Sequence, residues 1–258
     1  MCLGKWFGKK EEPYTGKTAL LFAINDYPGS ANDLRGCLND QDDLAERISK
    51  LYPDYVIKKF SDSKVTTGRF ETEVTKAIDR LRPDDVLLIH YSGHGTTVND
   101  TTGDELDGED EALYLYNGVF TDDRLGKMLE KIPAGATVIL MLDSCFSGTI
   151  TRGGKRVRFI PNSQLPPHRR KSLKRLGMRF IENHIVFSGC GEDQTSADAF
   201  FDGRSNGAFT FYALKTLRKS YTYRQWFEKI RTYLPNETFD QAPTIEGPED
   251  LLNKQIFT

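Results

Sequence analysis

The chain has 258 residues, of which 38% are hydrophobic and 28% charged, and its formal net charge at pH 7 is −2. This length and hydrophobic fraction fit a single α/β domain with one substantial core. The small net charge gives no reason to expect a nucleic-acid or membrane partner. Cys2, Cys37, Cys145 and Cys190 lack CxxC spacing, which argues against a zinc site and a disulfide framework.

The first 16 residues combine lysines, glycines and a proline, so we expect an N-terminal extension to a domain that spans residues 17–258. The extension is either a disordered tail or an arm folded over the cleft of the domain. It contains no continuous apolar segment of the kind found in signal peptides or membrane spans. Because reduced thiols are the simpler interpretation of the cysteines, we expect a cytoplasmic protein.

Predicted strands and helices alternate along the first part of the chain. Apolar runs predict buried strands at 18–24, 55–60 and 86–91, and apolar residues at helical spacing predict helices between them. Such alternation is typical of a doubly wound α/β fold, with a mostly parallel central sheet and helices on both faces. The later predicted elements are a hairpin turning at Asn117-Gly118, a helix capped by Thr121, strands at 138–142 and 184–190, helices at 207–218 and 223–234, and a short edge strand at 254–257.

Two of the predicted strands run directly into reactive side chains. The strand at 138–142 is followed by Asp143, Ser144 and Cys145, and the strand at 86–91 leads to Ser92 and His94. Reactive groups of an open α/β sheet gather at the carboxyl ends of its strands, so we expect the thiol and the imidazole to face each other across one cleft. A thiolate is a nucleophile, and an imidazole titrating near neutral pH can take or return its proton.

Regular patterning disappears between residues 149 and 180. This segment holds ten Lys or Arg residues, no acidic residue, and glycine and proline pairs. The composition predicts a long, basic, mobile loop. A competing interpretation is a basic patch that is solvated or contacts nucleic acid.

Five segments resemble the caspase-like cysteine peptidases, and most closely the metacaspases among them. They are GCLND at 36–40, YSGHG at 91–95, DSCFSG at 143–148, SGC at 188–190 with QTSADA at 194–199, and GAFT at 207–210. His94 precedes Cys145 by 51 residues, close to the separation of roughly 50 residues in caspases. The resemblance covers most of the chain and implies a caspase-like fold and a cysteine endopeptidase.

The resemblance also implies a Cys–His dyad. Cys145 would attack the scissile carbonyl and His94 would protonate the leaving amine. By the same analogy, the backbone N–H groups of Gly95 and Cys145 would bind the oxyanion. No cofactor is required for this chemistry.

Carried over by position, the resemblance places Asp40 and Asp143 in the pocket for the side chain before the cut, lined by Ser92 and Cys37. Two carboxylates in one pocket predict cleavage after Arg or Lys. A peptidase of this specificity could cut its own basic loop. The candidate autoprocessing sites are Arg152, Lys155, Arg156, Arg158, Arg169, Arg170 and Lys171.

Calcium activation is a further implication of the resemblance, with Asp110, Asp122 and Asp123 as candidate oxygen ligands. The sequence departs from the family pattern at Arg152, where a further acid is expected. A positive charge there would weaken the calcium site.

Two alternative functions remain open from the sequence. One is a catalytically silent, caspase-like scaffold, against which the intact His94 and Cys145 argue. The other is a legumain-like peptidase that cuts after Asn, against which Asp40 and Asp143 argue. The expected partners are protein or peptide substrates with Arg or Lys before the cut, with no nucleic acid and no membrane, and the resemblance to metacaspases favours a monomer.

Overall fold

The computed structural model describes residues 16–99, 109–145, 156–160, 183–190 and 197–258. Its strands are β1 (Lys17–Ala23), β2 (Tyr55–Ser61), β3 (Val86–Ser92), β4 (Gly95–Asn99), β5 (Glu109–Leu115), β6 (Gly118–Thr121), β7 (Thr137–Asp143), β8 (Arg156–Val157), β9 (His184–Ser188), β10 (Ala197–Phe201), β11 (Arg204–Gly207) and β12 (Thr244–Glu246). Its α-helices are α1 (Cys37–Leu51), α2 (Thr67–Ile78), α3 (Asp122–Leu129), α4 (Ala208–Thr216), α5 (Tyr223–Arg231) and α6 (Glu249–Leu252). Within these ranges no helix combines the length and apolar character needed to cross a bilayer.

The central sheet has six strands in the order β12-β9-β7-β3-β1-β2. All neighbouring strands run parallel except β12, which is antiparallel to β9. The register aligns Ala23 with Ser92 and Ser92 with Asp143, so β1, β3 and β7 end at the same level. The carboxyl ends of these strands therefore form one edge.

Both faces of the sheet are covered because alternate strand residues point in opposite directions. On β1, Leu20 and Phe22 pack in a cluster with residues of α2 and α3, whereas Ala19 and Leu21 pack with residues of α1, α4 and α5. Strands buried on both faces are apolar throughout, which is why they are visible as continuous runs in the sequence. The predicted doubly wound, mostly parallel sheet with helices on both faces is confirmed.

Two small antiparallel sheets accompany the central one, with the orders β4-β5-β6 and β11-β10-β8. The pair β5 and β6 is the hairpin predicted at Asn117-Gly118. The predicted cap of α3 is also present, since the Thr121 hydroxyl accepts a hydrogen bond from the Arg124 backbone N–H at 3.4 Å.

The predicted edge strand at 254–257 is wrong. The outermost strand on that side of the sheet is β12, and residues 254–257 instead fold against the helices. Phe257 is fully buried, and its ring lies within about 6 Å of four other aromatic rings, those of Tyr52, Tyr55, Tyr223 and Trp226. Ile256 and Phe257, the apolar residues that suggested a strand, are thus buried in the core.

Phe257→Ala should destabilise the protein by about 3–5 kcal/mol, because it leaves a cavity among four rings. Urea unfolding measures the change. Thr258→Ala, at the exposed neighbouring position, is the control and should shift stability by no more than about 0.5 kcal/mol. Equal effects of the two substitutions would contradict the packing of Phe257.

Candidate active site

The residues predicted to be reactive follow the aligned carboxyl ends of two neighbouring strands. His94 lies two residues beyond the end of β3, and Cys145 two residues beyond the end of β7. Both residues are buried, with 4% and 0% exposure. The parallel pairing of β3 and β7 therefore brings them to one edge of the sheet.

The chain segments that carry these residues meet at a single carbonyl oxygen. The backbone N–H groups of Gly95 and Cys145 both donate to the carbonyl oxygen of Arg158, at 2.8 and 3.2 Å. These are the two N–H groups that the resemblance assigns to the oxyanion. Their convergence shows that they can bind one oxygen together.

His94 is held in place by its backbone and its ring. Its N–H donates to the Tyr27 hydroxyl at 2.8 Å, and the Tyr27 ring lies 4.8 Å from the imidazole. Its Nε2 lies 2.7 Å from the carbonyl oxygen of Asn32, which can only accept, so Nε2 carries the proton. Nδ1 then keeps its lone pair, and it has no hydrogen-bond partner among the described residues.

Burial lowers the pKa of His94 to about 4, so the imidazole is neutral at pH 7. A neutral imidazole with an unprotonated Nδ1 can accept a proton from a thiol. Sequence reasoning did not identify Asn32 as the residue that fixes this tautomer, because a backbone carbonyl carries no side-chain signature.

Asp40 and Asp143, predicted to share a pocket, are both fully buried and both contact the guanidinium of Arg158. Arg158 Nη2 donates to Asp40 Oδ2 at 2.9 Å, and Nη1 lies 3.2 Å from Asp143 Oδ1. Nη1 also donates to the hydroxyl of Ser92 at 2.7 Å. The predicted pocket residues thus surround an arginine supplied by the chain itself.

A third carboxylate, Asp198, completes this cluster and was missed by sequence reasoning. Arg158 Nη2 donates to Asp198 Oδ1 at 3.2 Å, and the other oxygen of Asp198 accepts from the Arg35 N–H at 2.8 Å. Asp198 belongs to the segment QTSADA, one of the segments that carries the resemblance. Its signal was therefore present, but its place in β10, outside the central sheet, was not predicted.

The carboxylates of Asp40 and Asp143 also accept hydrogen bonds from α4 and from the residues just before it. Asp40 Oδ1 accepts from the Asn206 amide and from the Gly207 N–H, each at 2.9 Å. Asp143 Oδ2 accepts from the backbone N–H and the hydroxyl of Thr210 at 2.9 and 2.7 Å. A Cβ at Gly207 would collide with Asp143 and Arg158, so only glycine fits there.

The cluster contains three carboxylates and one guanidinium. The pKa of Asp40 is raised to about 7, chiefly by burial; Arg158 opposes this shift and Asp143 adds to it. A proton on Asp40 and a cation in the pocket therefore compete. Burial also raises the pKa of Cys37, whose thiol is hydrogen-bonded to Ser92, so Cys37 is a neutral lining group.

Residues 156–160 are not a mobile loop, and the prediction of one at 149–180 is wrong for this part. Arg156 and Val157 form β8, which pairs antiparallel with β10. The Ile160 N–H donates to the Gly95 carbonyl at 3.0 Å, and its own carbonyl accepts from the Thr96 hydroxyl at 2.6 Å. Backbone hydrogen bonds on both sides of Arg158 hold the segment in one conformation. Amino-acid composition alone does not reveal such long-range pairing.

The remaining predicted residues are only partly described. Five candidate autoprocessing sites lie outside the described residues, namely Arg152, Lys155, Arg169, Arg170 and Lys171. Asp122 and Asp123 lie in the first turn of α3, where acids are favoured, and Asp122 Oδ1 accepts from the Asp123 N–H at 2.9 Å. The side chain of Asp110 is not described. Within the described ranges no three Asp, Glu, His or Cys side chains are arranged so that they could hold a metal ion, and calcium activation stays a prediction.

Comparison with known proteins agrees with this geometry. The family model "Caspase domain" matches residues 16–251. Metacaspase-1 of Scheffersomyces stipitis is 28% identical over 91% of this chain and 72% of its own length, and metacaspase-1 of Meyerozyma guilliermondii is 29% identical over 91% and 70%.

Solved structures give the same result. A protein of Geobacter sulfurreducens superposes with a TM-score of 0.77 at 28% identity, covering 94% of this chain and 98% of that one. Caspase-1 of Spodoptera frugiperda, at 13% identity, shares the fold with a TM-score of 0.62 over 95% of this chain and 94% of its own. The chain therefore belongs to the caspase domain family, as a metacaspase-like cysteine-type endopeptidase.

Proposed function

We propose that the chain hydrolyses peptide bonds after Arg, and less readily after Lys, with Cys145 as nucleophile and His94 as general acid and base. One observation carries the proposal. Arg158 has its carbonyl oxygen between the N–H groups of Gly95 and Cys145 and its guanidinium among three carboxylates. A substrate arginine before the scissile bond carries the same carbonyl oxygen and guanidinium, joined by the same number of bonds, and could occupy both positions.

The proposed reaction begins when His94 Nδ1 accepts the proton of the Cys145 thiol. The thiolate attacks the substrate carbonyl carbon, and the resulting oxyanion is stabilised by the N–H groups of Gly95 and Cys145. The carbon–nitrogen bond breaks, and His94 gives its proton to the leaving amine. Water, deprotonated by His94, then hydrolyses the thioester and restores the thiol, so one water is consumed for each bond cut.

The pocket's contacts favour Arg over Lys. The two terminal nitrogens of Arg158 bind different groups, with Ser92 and Asp143 at Nη1 and Asp40 and Asp198 at Nη2. A lysine has one ammonium nitrogen and cannot occupy both positions. It would leave part of the buried carboxylate cluster without a cationic partner.

The same cluster argues against cleavage after Asn, because a neutral amide leaves the buried carboxylates without a counter-charge. A silent scaffold would have no need of an imidazole whose Nδ1 is free to accept a proton beside an oxyanion-binding pair of N–H groups. With both alternatives disfavoured, we propose that the substrates are proteins or peptides with Arg or Lys before the cut.

Cys145→Ala should lower the hydrolysis of an arginyl peptide at least about a thousandfold, because the nucleophile is removed. An electrophilic arginyl ketone should label the wild type and not this variant. Cys190→Ala, which removes a buried thiol that donates to the Ser144 carbonyl, is the control and should still be labelled. Labelling of Cys145→Ala would contradict the assignment.

Asp198→Asn should lower kcat/KM for arginyl peptides by roughly tenfold to a hundredfold, because a hydrogen bond to a buried charge is weakened. The ratio of arginyl to lysyl kcat/KM should fall with it. Asp42→Asn removes an exposed carboxylate that pairs with Lys59 and should change neither value. An unchanged ratio in Asp198→Asn would show that Asp198 does not select the guanidinium.

KM for arginyl peptides should rise as pH falls towards about 7, which is the pKa of Asp40 with the Arg158 guanidinium beside it; without a cation in the pocket that pKa is higher. Asp40 is protonated below its raised pKa, and a neutral Asp40 attracts the substrate cation less. KM changes in this direction because a bound cation lowers the pKa of Asp40, so that protonation of Asp40 and binding of the cation weaken each other. Initial rates from pH 8.5 to 5.5 measure the effect, and Asp40→Asn should have a higher KM that varies less with pH.

A further inference from the structure

Two buried tyrosines beside His94 have no part in the reaction described above. Tyr27 lies between β1 and α1, and Tyr91 is the last residue but one of β3. Their side chains are 5% and 0% exposed, and both belong to the apolar cluster on one face of the sheet. The hydroxyl of a buried tyrosine usually needs a hydrogen-bond partner. Both hydroxyls have partners on the backbone of His94.

The two hydroxyls bind the two backbone polar groups of the same residue. The His94 N–H donates to the Tyr27 hydroxyl at 2.8 Å, and the Tyr91 hydroxyl donates to the His94 carbonyl oxygen at 2.8 Å. The two hydroxyl oxygens lie 3.3 Å apart. Burial raises the pKa of both hydroxyls, so each keeps its one proton. With the Tyr27 proton directed at Tyr91, one chain of hydrogen bonds leads from the His94 N–H through both hydroxyls to the His94 carbonyl.

The His94 carbonyl and the Gly95 N–H belong to one planar, trans peptide group, so they point in opposite directions. The carbonyl oxygen accepts from the Tyr91 hydroxyl and from the Tyr114 N–H, at 2.8 and 2.9 Å. The Tyr91 hydroxyl is equally close to the Tyr114 carbonyl, so its one proton alternates between two carbonyls. Holding the His94 carbonyl fixes the direction of the Gly95 N–H, and hydrogen bonds to that carbonyl polarise the amide and strengthen the N–H as a donor.

The residue before His94 leaves room for the same two hydroxyls. A Cβ at Gly93 would lie 2.5 Å from the Tyr91 hydroxyl oxygen and 2.7 Å from the Tyr27 hydroxyl oxygen. A larger residue would therefore push the hydroxyls away from the His94 backbone. In the segment YSGHG, the tyrosine, the second glycine-preceding histidine and the glycine before it thus belong to one arrangement.

We infer that Tyr27 and Tyr91 are positioning residues for the oxyanion-binding site and act through the backbone of His94. They touch no reacting atom, but they hold the peptide group whose N–H belongs to Gly95. This inference rests on the proposed function, because it needs an oxyanion between the N–H groups of Gly95 and Cys145. Such donors stabilise the transition state only if they are in place before the reaction, so loosening the peptide group lowers kcat and leaves substrate binding intact.

The first experiment measures kcat and KM for an arginyl peptide in Tyr27→Phe and Tyr91→Phe, which remove only a hydroxyl. In each variant kcat should fall roughly tenfold to a hundredfold, less than when an oxyanion donor is lost outright, and KM should stay within about twofold. Rates are divided by the number of sites that an arginyl ketone labels, so unfolded molecules do not count. Wild-type kcat in both variants, or a loss that lies wholly in KM, would overturn the inference.

Tyr223→Phe is the matched control. The buried Tyr223 hydroxyl accepts the Phe257 N–H at 2.9 Å, the same kind of bond that Tyr27 makes with His94, but its ring belongs to the apolar cluster on the other face of the sheet. This variant should lower the melting temperature about as much as Tyr27→Phe and keep the wild-type kcat and KM. An equal loss of kcat in Tyr223→Phe would mean that any lost buried hydroxyl impairs the enzyme, and would reject a specific role of Tyr27.

The second experiment separates the oxyanion from the thiol. An arginyl aldehyde adds to Cys145 as a hemithioacetal, whose oxygen takes the place of the oxyanion, whereas methyl methanethiosulfonate reacts with the sulfur and has no carbonyl. In Tyr91→Phe the inhibition constant of the aldehyde should rise roughly tenfold, while the rate at which the thiosulfonate modifies Cys145 should stay within about twofold. Equal weakening of both reactions would place the effect on the thiol and contradict the inference.

The double variant, Tyr27→Phe with Tyr91→Phe, tests whether the hydroxyls act together. Because they belong to one chain of hydrogen bonds, the loss of kcat in the double variant should be smaller than the product of the two single losses. A loss equal to that product would show two independent effects and reject the shared chain.

The two proposals fail in different ways. If the wild type hydrolyses arginyl peptides and both single variants match it in kcat and in aldehyde inhibition, the proposed function holds and the role of the tyrosines is rejected. If the wild type neither hydrolyses arginyl peptides nor is labelled by arginyl probes, the proposed function is rejected, and the role of the tyrosines with it.

Discussion

The buried ion cluster of Asp40, Asp143, Asp198 and Arg158 is the constraint on which the site depends. Removing a carboxylate from water is unfavourable by several kcal/mol unless a cation and hydrogen bonds compensate. Here the compensation comes from distant parts of the chain. Asp40 lies in the first turn of α1, and Asp143 accepts from the first turn of α4, so both face helix N-termini, where negative charge is favoured.

The proposed specificity pocket and the proposed catalytic residues are positioned by the same two strands. On β3, Ser92 contacts the guanidinium and His94 follows two residues later, and on β7 Asp143 and Cys145 have the same spacing. Each strand end therefore positions one residue of the proposed pocket and one proposed catalytic residue. Because the two strands pair in register, a slip of one residue would misplace both functions together.

Much of this arrangement could be predicted from the sequence, because buried parallel strands are continuous apolar runs and the groups at their ends are short motifs. Asp143 directly follows such a run, whereas the pocket role expected of Asp40 and Asp143 came from the resemblance of their motifs to the family. Asp198 was not assigned, because β10 lies in a small separate sheet whose position no periodicity indicates. The path of residues 156–160 depends on long-range backbone pairing, and a basic composition alone predicts a solvated loop.

If the chain were cut after Arg158, one of the candidate autoprocessing sites, the pairing of β7 with β9 would hold the two pieces together. Strands β1, β2, β3 and β7 precede the break, whereas β9 and β12 follow it and complete the same central sheet. The smaller C-terminal piece also supplies Asn206, Gly207 and Thr210, which donate hydrogen bonds to the carboxylates. Separating the two pieces would expose the buried apolar residues of β7 and β9, so the nicked molecule should persist as a noncovalent heterodimer with one composite pocket.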